Sequence, residues 1–258
     1  MSTKRKPVVA GNWKMYKTSS EGAAFVRGLI EELRGRAVDA SRVEVLVAPP
    51  FTGLFEAVAA CARTPLRVAA QNVYFEQEGA YTGEVAPPML AALGVRWVIV
   101  GHSERRQYFG ETDETVAKKV RACLDAGLTP IMCVGESEKE REDGLMDDVL
   151  RRQVGAGLAL LTSGEVSGIA VAYEPIWAIG TGRTATPELA QEACAFVRAQ
   201  AEAAAGPGAA GSLRVLYGGS VKPDNAEELF AQPDIDGGLV GGASLEVDSF
   251  ARIIAHAQ

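Results

Sequence analysis

Gly168-Ile169-Ala170-Val171-Ala172-Tyr173-Glu174-Pro175-Ile176-Trp177-Ala178-Ile179-Gly180-Thr181-Gly182-Arg183-Thr184-Ala185-Thr186-Pro187-Glu188 reads as one complete strand-to-helix unit. Its first residues form a short, near-continuous apolar run, the pattern of a strand buried on both faces. A carboxylate, Glu174, stands at the strand's end and is followed by proline. Beyond an apolar stretch and Gly180-Thr181-Gly182, the order Thr186-Pro187-Glu188 is that of an N-cap, a first-turn proline and a first-turn acid. Taken alone, the acid has two readings. It is a general base beneath a Gly-hinged loop, 175–185, or an ordinary solvated or ion-paired loop glutamate. The rest of the chain decides between them.

The same unit recurs. Apolar runs suited to buried parallel strands occur at Val8–Ala10, Val43–Ala48, Leu66–Ala70 and Trp97–Val100. The second half adds Pro130–Val134, Ile169–Ala172, Leu213–Leu216 and Gly238–Val240. Between them lie stripes of helical period: Val26, Leu29, Ile30 and Leu33 before Gly35, and Val116, Val120 and Cys123 before Gly127. Leu150, Val154, Leu158 and Leu161 before Gly164 form another. Asp224-Asn225-Ala226-Glu227 has capping-box spacing. The alanine-rich 199–210 stretch, with Gly206-Pro207-Gly208, reads as a helix end and a loop. No Pro/Ser-rich linker divides the chain. Eight βα units in 258 residues predict one (β/α)8 barrel domain spanning 1–258. A doubly wound sheet is the alternative, but such sheets usually stop at fewer strands.

Composition sets outer bounds. The chain is 47% hydrophobic and 23% charged, with a net charge of −7, which argues against nucleic-acid or polybasic membrane partners. Lys4-Arg5-Lys6 lacks the apolar segment of a signal peptide and reads as a solvated tail. No apolar run approaches the roughly 18 residues of a membrane span. Cys61, Cys123, Cys133 and Cys194 have no CxxC spacing and sit among apolar neighbours, as reduced core thiols of a cytoplasmic protein would.

In a (β/α)8 barrel the chemistry collects in the loops after the strands. Those positions carry Asn12 and Lys14, then His102, Ser103 and Glu104, then Glu136 and Glu174. Gly218-Gly219-Ser220 and Gly241-Gly242 follow the last two strands. An isolated post-strand histidine is more often a structural hydrogen-bonder than a catalyst, and an isolated loop lysine is more often solvated. If the chain stays extended beyond Asn12, both Asn12 and Lys14 face the mouth while Trp13 packs outward. The paired glycines fit the backbone-amide phosphate site of this fold, with Gly180 adding an amide. His102 lacks a second histidine partner and the thiols are scattered, so no metal site is expected. Acid, imidazole, cation and anion cradle on one rim outweigh the separate bland readings.

Six segments now carry a resemblance: Gly11-Asn12-Trp13-Lys14-Met15, Gln71-Asn72-Val73, Gly101 through Arg106, Ala172 through Ala185, Tyr217 through Pro223, and Leu239 through Leu245. Over essentially its full length the chain resembles the triosephosphate isomerase family. The resemblance implies interconversion of dihydroxyacetone phosphate and glyceraldehyde 3-phosphate in glycolysis and gluconeogenesis, without cofactor or metal, by a cytoplasmic homodimer. It implies that Glu174 is the base and that neutral His102 polarises the carbonyl and shuttles protons. Lys14 and Asn12 would steady charge on the substrate, while Gly180, Ser220, Gly241 and Gly242 hold its phosphate. Glu104, beside Ser103, would support Lys14, and loop 79–84 would place Thr82 near Asn12 of a neighbouring subunit. Two departures from the family pattern stand out: Arg183 where lysine is common, and Gly238 where a larger small residue is common, which is expected to loosen that barrel layer. Two other readings stay open: a Schiff-base aldolase using Lys14, and a phosphometabolite-binding barrel without turnover.

Overall fold

The computed structural model describes residues 5–178 and 185–258. The first half runs β1 (Val8–Asn12), α1 (Ser19–Gly35), β2 (Glu44–Ala48), α2 (Leu54–Cys61), β3 (Arg67–Ala70), α3 (Pro87–Leu93) and β4 (Trp97–Val100). Then follow α4 (Ser103–Phe109), α5 (Asp113–Asp125), β5 (Thr129–Val134), α6 (Glu138–Glu142), α7 (Met146–Leu158) and α8 (Ser163–Val166). The chain continues through β6 (Ala170–Tyr173), α9 (Pro187–Ala205), α10 (Pro207–Ser212), β7 (Arg214–Tyr217), α11 (Ala226–Phe230), β8 (Gly237–Val240) and α12 (Val247–Ala255). The strands close in sequence order into an all-parallel barrel, β8 returning to β1 with Gly11 opposite Val240. This is the (β/α)8 barrel, and each apolar run of the sequence is a strand, within a residue or two at its ends.

Alternation along the strands explains the continuous apolar runs. Ala10, Leu46, Ile99, Ile131, Cys133, Ala172, Leu216 and Leu239 fill the barrel interior. Their neighbours Val9, Val47, Val98, Met132, Val171, Val215 and Val240 pack outward beneath the helices. Both sets are buried, so neither face tolerates polar residues. Burying each Val, Leu, Ile or Met among them contributes about 1.5–3 kcal/mol.

The helical stripes behave as their period dictates. Val26, Leu29 and Leu33 are buried on α1, and Val116, Val120 and Cys123 on α5. Leu161 lies beyond the end of α7 but still packs on the core. Thr186 caps α9, its Oγ1 accepting the Leu189 amide at 3.3 Å, with Pro187 in the first turn.

Four expectations are corrected. The 199–210 stretch is not helix end and loop alone: Gly206, at φ 88°, ends α9, and Pro207 at a first-turn position restarts the chain as α10. Asp224 makes no capping box, because its carboxylate pairs with Arg252 at 3.0 Å and Asn225 precedes α11. Arg5 is not part of a solvated tail but pairs with Asp236 at 2.7 Å, and Lys6 reaches the Ala40 carbonyl. Gly238 leaves no loosened layer, since Phe230 lies 3.4 Å from where its Cβ would stand.

Candidate active site

β6 places Ala172 inside the barrel and Tyr173 outside. The next residue, Glu174, therefore returns to the interior side, where it is 2% exposed. Its amide donates to the Val134 carbonyl at 2.7 Å, extending the β5–β6 ladder by one residue. Gly135 and Gly218 flank it, and both must be glycine. A Cβ on Gly218 would stand 2.9 Å from Glu174 Cγ, and one on Gly135 would collide with the Glu174 carbonyl group.

Strict alternation would point His102 away from the mouth, because Trp97 and Ile99 face inward. Gly101 breaks the period with φ +74°, in a crowded spot where a Cβ would meet Val116 at 2.9 Å. The turn brings His102 to the N-terminus of α4. There the Glu104 amide donates to His102 Nδ1 at 3.2 Å. An Nδ1 that accepts a hydrogen bond carries no proton, so the N–H of the neutral ring is at Nε2. Nε2 lies 3.0 Å from Glu174 Oε1, and the Ser103 amide donates to Glu174 Oε2 at 2.8 Å.

These contacts set the electrostatics of the pair. Burial pushes Glu174 up, but His102 and the Ser103 amide outweigh it and hold the carboxyl below its usual range. Burial pulls His102 down, yet the adjacent Glu174 carboxylate raises the imidazole overall. Each shift belongs to the resting arrangement in which the two side chains touch. Burial, with a further push from Glu174, also raises the Cys133 thiol far above its usual value, leaving it neutral.

Lys14 and Asn12 reach the same place by a different route from the extended one expected. Asn12 is the last residue of β1, but Lys14 has φ 51°, so the chain curls instead of alternating. The curl is held by the Lys14 amide on Asn12 Oδ1 at 3.0 Å and the Tyr16 amide on the Trp13 carbonyl at 3.2 Å. Trp13 is fully buried, edge-on to Phe25. Lys14 Nζ pairs with Glu104 Oε1 at 2.6 Å, and its Cε lies 3.4 Å from where a Gly241 Cβ would stand.

A cavity of about 530 Å³ brings together Asn12, Lys14, His102, Glu174, Gly218, Gly219, Ser220, Leu239, Gly241 and Gly242. Gly242–Ser244 forms a single helical turn after β8. Glu136 is the exception among the strand-end polar groups. Its side chain points outward, accepting from Tyr173 Oη and Trp177 Nε1 at 2.9 Å each and from Arg141 Nη1 at 3.0 Å. The reason is parity: Cys133 faces in and Val134 out, so Glu136 faces out. Gly180 and Arg183 lie outside the described residues. Thr82 is exposed in a loop whose Tyr81 packs on Tyr74, 4.6 Å between centroids.

Several supporting residues have no role in the sequence reading, although Gln71 stands in one of the matching segments. Gln71 Nε2 donates to both the Lys14 and Ala48 carbonyls at 2.8 Å, fixing the curl after β1. Buried Glu111 accepts from the Gly101 amide at 3.0 Å and pairs with Lys119 and Arg105. Gln71 at least sits at a strand end, whereas nothing in the local pattern before α5 marks Glu111. Among the described residues no cluster of His, Cys, Asp and Glu could hold a metal ion. No described helix is long and apolar enough to cross a membrane.

The sequence profile of the triosephosphate isomerase family matches residues 7–257. The triosephosphate isomerase of Solibacter usitatus is 55% identical to this chain, over 97% of it and 99% of the relative. That of Carboxydothermus hydrogenoformans is 53% identical, over 97% and 98%. That of Chloroflexus aurantiacus is 53% identical, over 98% and 99%.

Proposed function

Because the chain belongs to the triosephosphate isomerase family and so interconverts dihydroxyacetone phosphate and glyceraldehyde 3-phosphate, we propose that Glu174 is its base and His102 its electrophile. The reaction is a step of glycolysis and gluconeogenesis. Glu174 takes the proton from the carbon beside the carbonyl, leaving an enediolate, and returns it to the neighbouring carbon. His102 donates from Nε2 to the carbonyl oxygen and carries protons between the two oxygens. Lys14 and Asn12 steady the negative oxygen. The amides of Ser220, Gly241 and Gly242 receive the phosphate, and Glu104 positions Lys14.

The observation that carries this reading is the resting clasp of Glu174 on Ser103 and His102. A carboxylate held by two donors is a weak base. Turning toward substrate within the cavity that Leu239 and Ala178 also line, it gives up both donors, so burial outweighs what remains and its basicity rises. The same movement takes away the main charge that raises His102, which favours the neutral ring during turnover. Titrating Glu174 with and without a phosphorylated enolate mimic tests this, and an unchanged midpoint would sink it. Converting dihydroxyacetone phosphate in deuterated water tests the base itself. Deuterium is expected at C2 of the product, and its absence there argues for a hydride shift instead.

A Schiff-base role for Lys14 is disfavoured, because its amine is the cationic half of an ion pair with Glu104. Residues 1–258 act as one domain without cofactor, in the cytoplasm, where buried free thiols such as Cys61 and Cys194 stay reduced. The chain pairs with itself through loop 79–84, Thr82 meeting Asn12 of the neighbour. Exposed Met15, Tyr81 and Met89 are the apolar surface such pairing would cover. Light scattering is expected to give twice the chain mass, and a monomer at micromolar concentration would refute pairing.

A further inference from the structure

The loop after β1 holds a second lysine in the left-handed region. Lys17 has φ 68°, a conformation that a long side chain adopts only when its surroundings insist. Its side chain reaches the neighbouring loop after β8: Lys17 Nζ donates to the Leu245 carbonyl at 2.8 Å, 228 residues away in sequence. The ammonium is also seated over aromatic rings, 4.8 Å from the centroid of Phe25 and 5.9 Å from that of Trp13. Both rings are buried, so the anchor is rigid.

Leu245 closes the turn that presents the anion cradle. Its amide donates to the Gly242 carbonyl at 3.1 Å, and the Ser244 amide and hydroxyl both donate to the Gly241 carbonyl, at 2.8 and 2.7 Å. The Gly241 carbonyl belongs to the same rigid peptide as the Gly242 N–H. Fixing Leu245 therefore fixes the direction in which that amide points. Lys14, three residues before Lys17, brings its Cε to 3.4 Å from where a Gly241 Cβ would stand. The two loops meet at these two points.

We infer that Lys17 is a positioning residue for substrate binding, clamping the phosphate-receiving turn Gly241–Leu245 to the β1 loop that carries Lys14. The inference rests on the phosphate role proposed above for Gly241 and Gly242. Glu174 and His102 lie just after β6 and β4 and are held by each other and by Ser103, and Lys14 is held separately by Glu104. Loosening the turn therefore weakens a contact that substrate and transition state share, which raises KM and leaves kcat nearly unchanged.

The test compares Lys17→Met, Lys17→Gly and Lys17→Arg with the wild type, measuring kcat, KM, competitive inhibition by inorganic phosphate and thermal midpoint. Lys17→Met is expected to raise KM and the phosphate inhibition constant together by about threefold to tenfold, the scale of one charged hydrogen bond. Lys17→Arg restores both to within about twofold, because it can still donate to a carbonyl. Lys17→Gly relieves the backbone and keeps the turn, yet loses phosphate affinity as Lys17→Met does. If Lys17 serves only to shape the turn, Lys17→Gly matches the wild type, and the inference is overturned. Equal phosphate inhibition in wild type and Lys17→Met also overturns it while leaving the cradle intact. Phosphate that fails to compete in the wild type overturns the cradle reading, and the clamp with it.

Discussion

Gly135 offers a direct way to move the base without touching its chemistry. A Cβ at this position would stand 2.8 Å from the Glu174 carbonyl carbon and 3.3 Å from its Cα, with the carbonyl oxygen nearer still. Carbon–carbon contacts are comfortable at about 3.5–4.0 Å, so the carbonyl carbon alone must retreat by at least about 0.7 Å. Gly135 itself cannot yield, because Gln153 grips both its amide, at 2.7 Å, and its carbonyl, at 3.2 Å. The displacement falls on Glu174, which is tied to Val134 by its own amide and to Ser103 and His102 by its carboxylate. A misplacement near 1 Å costs about 10²-fold in rate, or roughly 2.7 kcal/mol of transition-state stabilisation. Gly135→Ala is therefore expected to lower kcat by about two orders of magnitude while changing KM far less, since the phosphate cradle is on β7 and β8. Gly155→Ala is the control: that glycine is exposed on α7 with nothing within 4 Å of its absent Cβ, and alanine should stabilise it by about 0.5–1 kcal/mol. Circular dichroism and thermal melts establish folding, and steady-state isomerisation gives the constants. A folded Gly135→Ala with kcat within twofold of wild type would refute the coupling between these two backbones.

Glu104→Gln removes the charge that steadies Lys14 at 2.6 Å and leaves the His102 cap in place, since that cap uses the Glu104 amide. A fall in kcat/KM of about tenfold is expected, on the scale of one charge-assisted contact, and unchanged kinetics would show that Gln71 alone holds Lys14. Acid stability tests the clasp. Burial pushes Glu174 up, but His102 and Ser103 hold it lower overall, and a depressed folded-state value stabilises the fold above the unfolded value near 4.3. That contribution is lost as pH falls through the folded value, so Glu174→Gln should flatten the acid limb below about pH 4.3 in urea unfolding. An acid limb identical to wild type would mean the clasp is absent in solution. Alkaline stability tests the core thiols, because burial pushes Cys61 and Cys123 up to about 12. A raised folded-state value contributes fully below the unfolded value near 8.5 and is lost as pH rises toward 12. Stability should therefore drop between about pH 9 and 11, less so in Cys123→Ala, and rapid Ellman labelling of the native protein at pH 8 would contradict it.

Legibility in the sequence follows from period. The barrel could be read because a strand buried on both faces must be apolar throughout, and such runs at Val98–Val100 or Ile131–Val134 have no other inexpensive home. Glu174 could be read for the same reason: a carboxylate one residue past such a run is either a liability or a tool. Residues placed by a broken period could not be read geometrically. His102 reaches the cavity only because Gly101 takes φ +74°, and Lys14 only because its own φ is 51°. Period-two reasoning turns His102 outward, and it assigns Lys14 to the mouth through an extended chain that does not exist. The same parity argument, applied strictly, would have excluded Glu136, whose side chain instead ties Tyr173 and Trp177 together behind the strand.

The supporting residues were hidden for another reason. Gln71 and Lys17 act through contacts 23 to 228 residues away in sequence, and Glu111 reaches the Gly101 amide 10 residues back; no local pattern encodes such a partner. Their common feature is that each holds a piece of backbone: the Lys14 and Ala48 carbonyls, the Gly101 amide, the Leu245 carbonyl. These are the segments where the chain leaves regular strand geometry and the ladder no longer fixes it. A barrel mouth has to depart from the ladder to aim side chains at one cavity, and every departure exposes backbone groups that need a side-chain partner. The number of such partners should therefore rise with the number of broken periods at the mouth. Lys17 follows from that argument as much as from its own geometry: it stands on a loop with two lysines at positive φ, and its bond ends on the turn after β8.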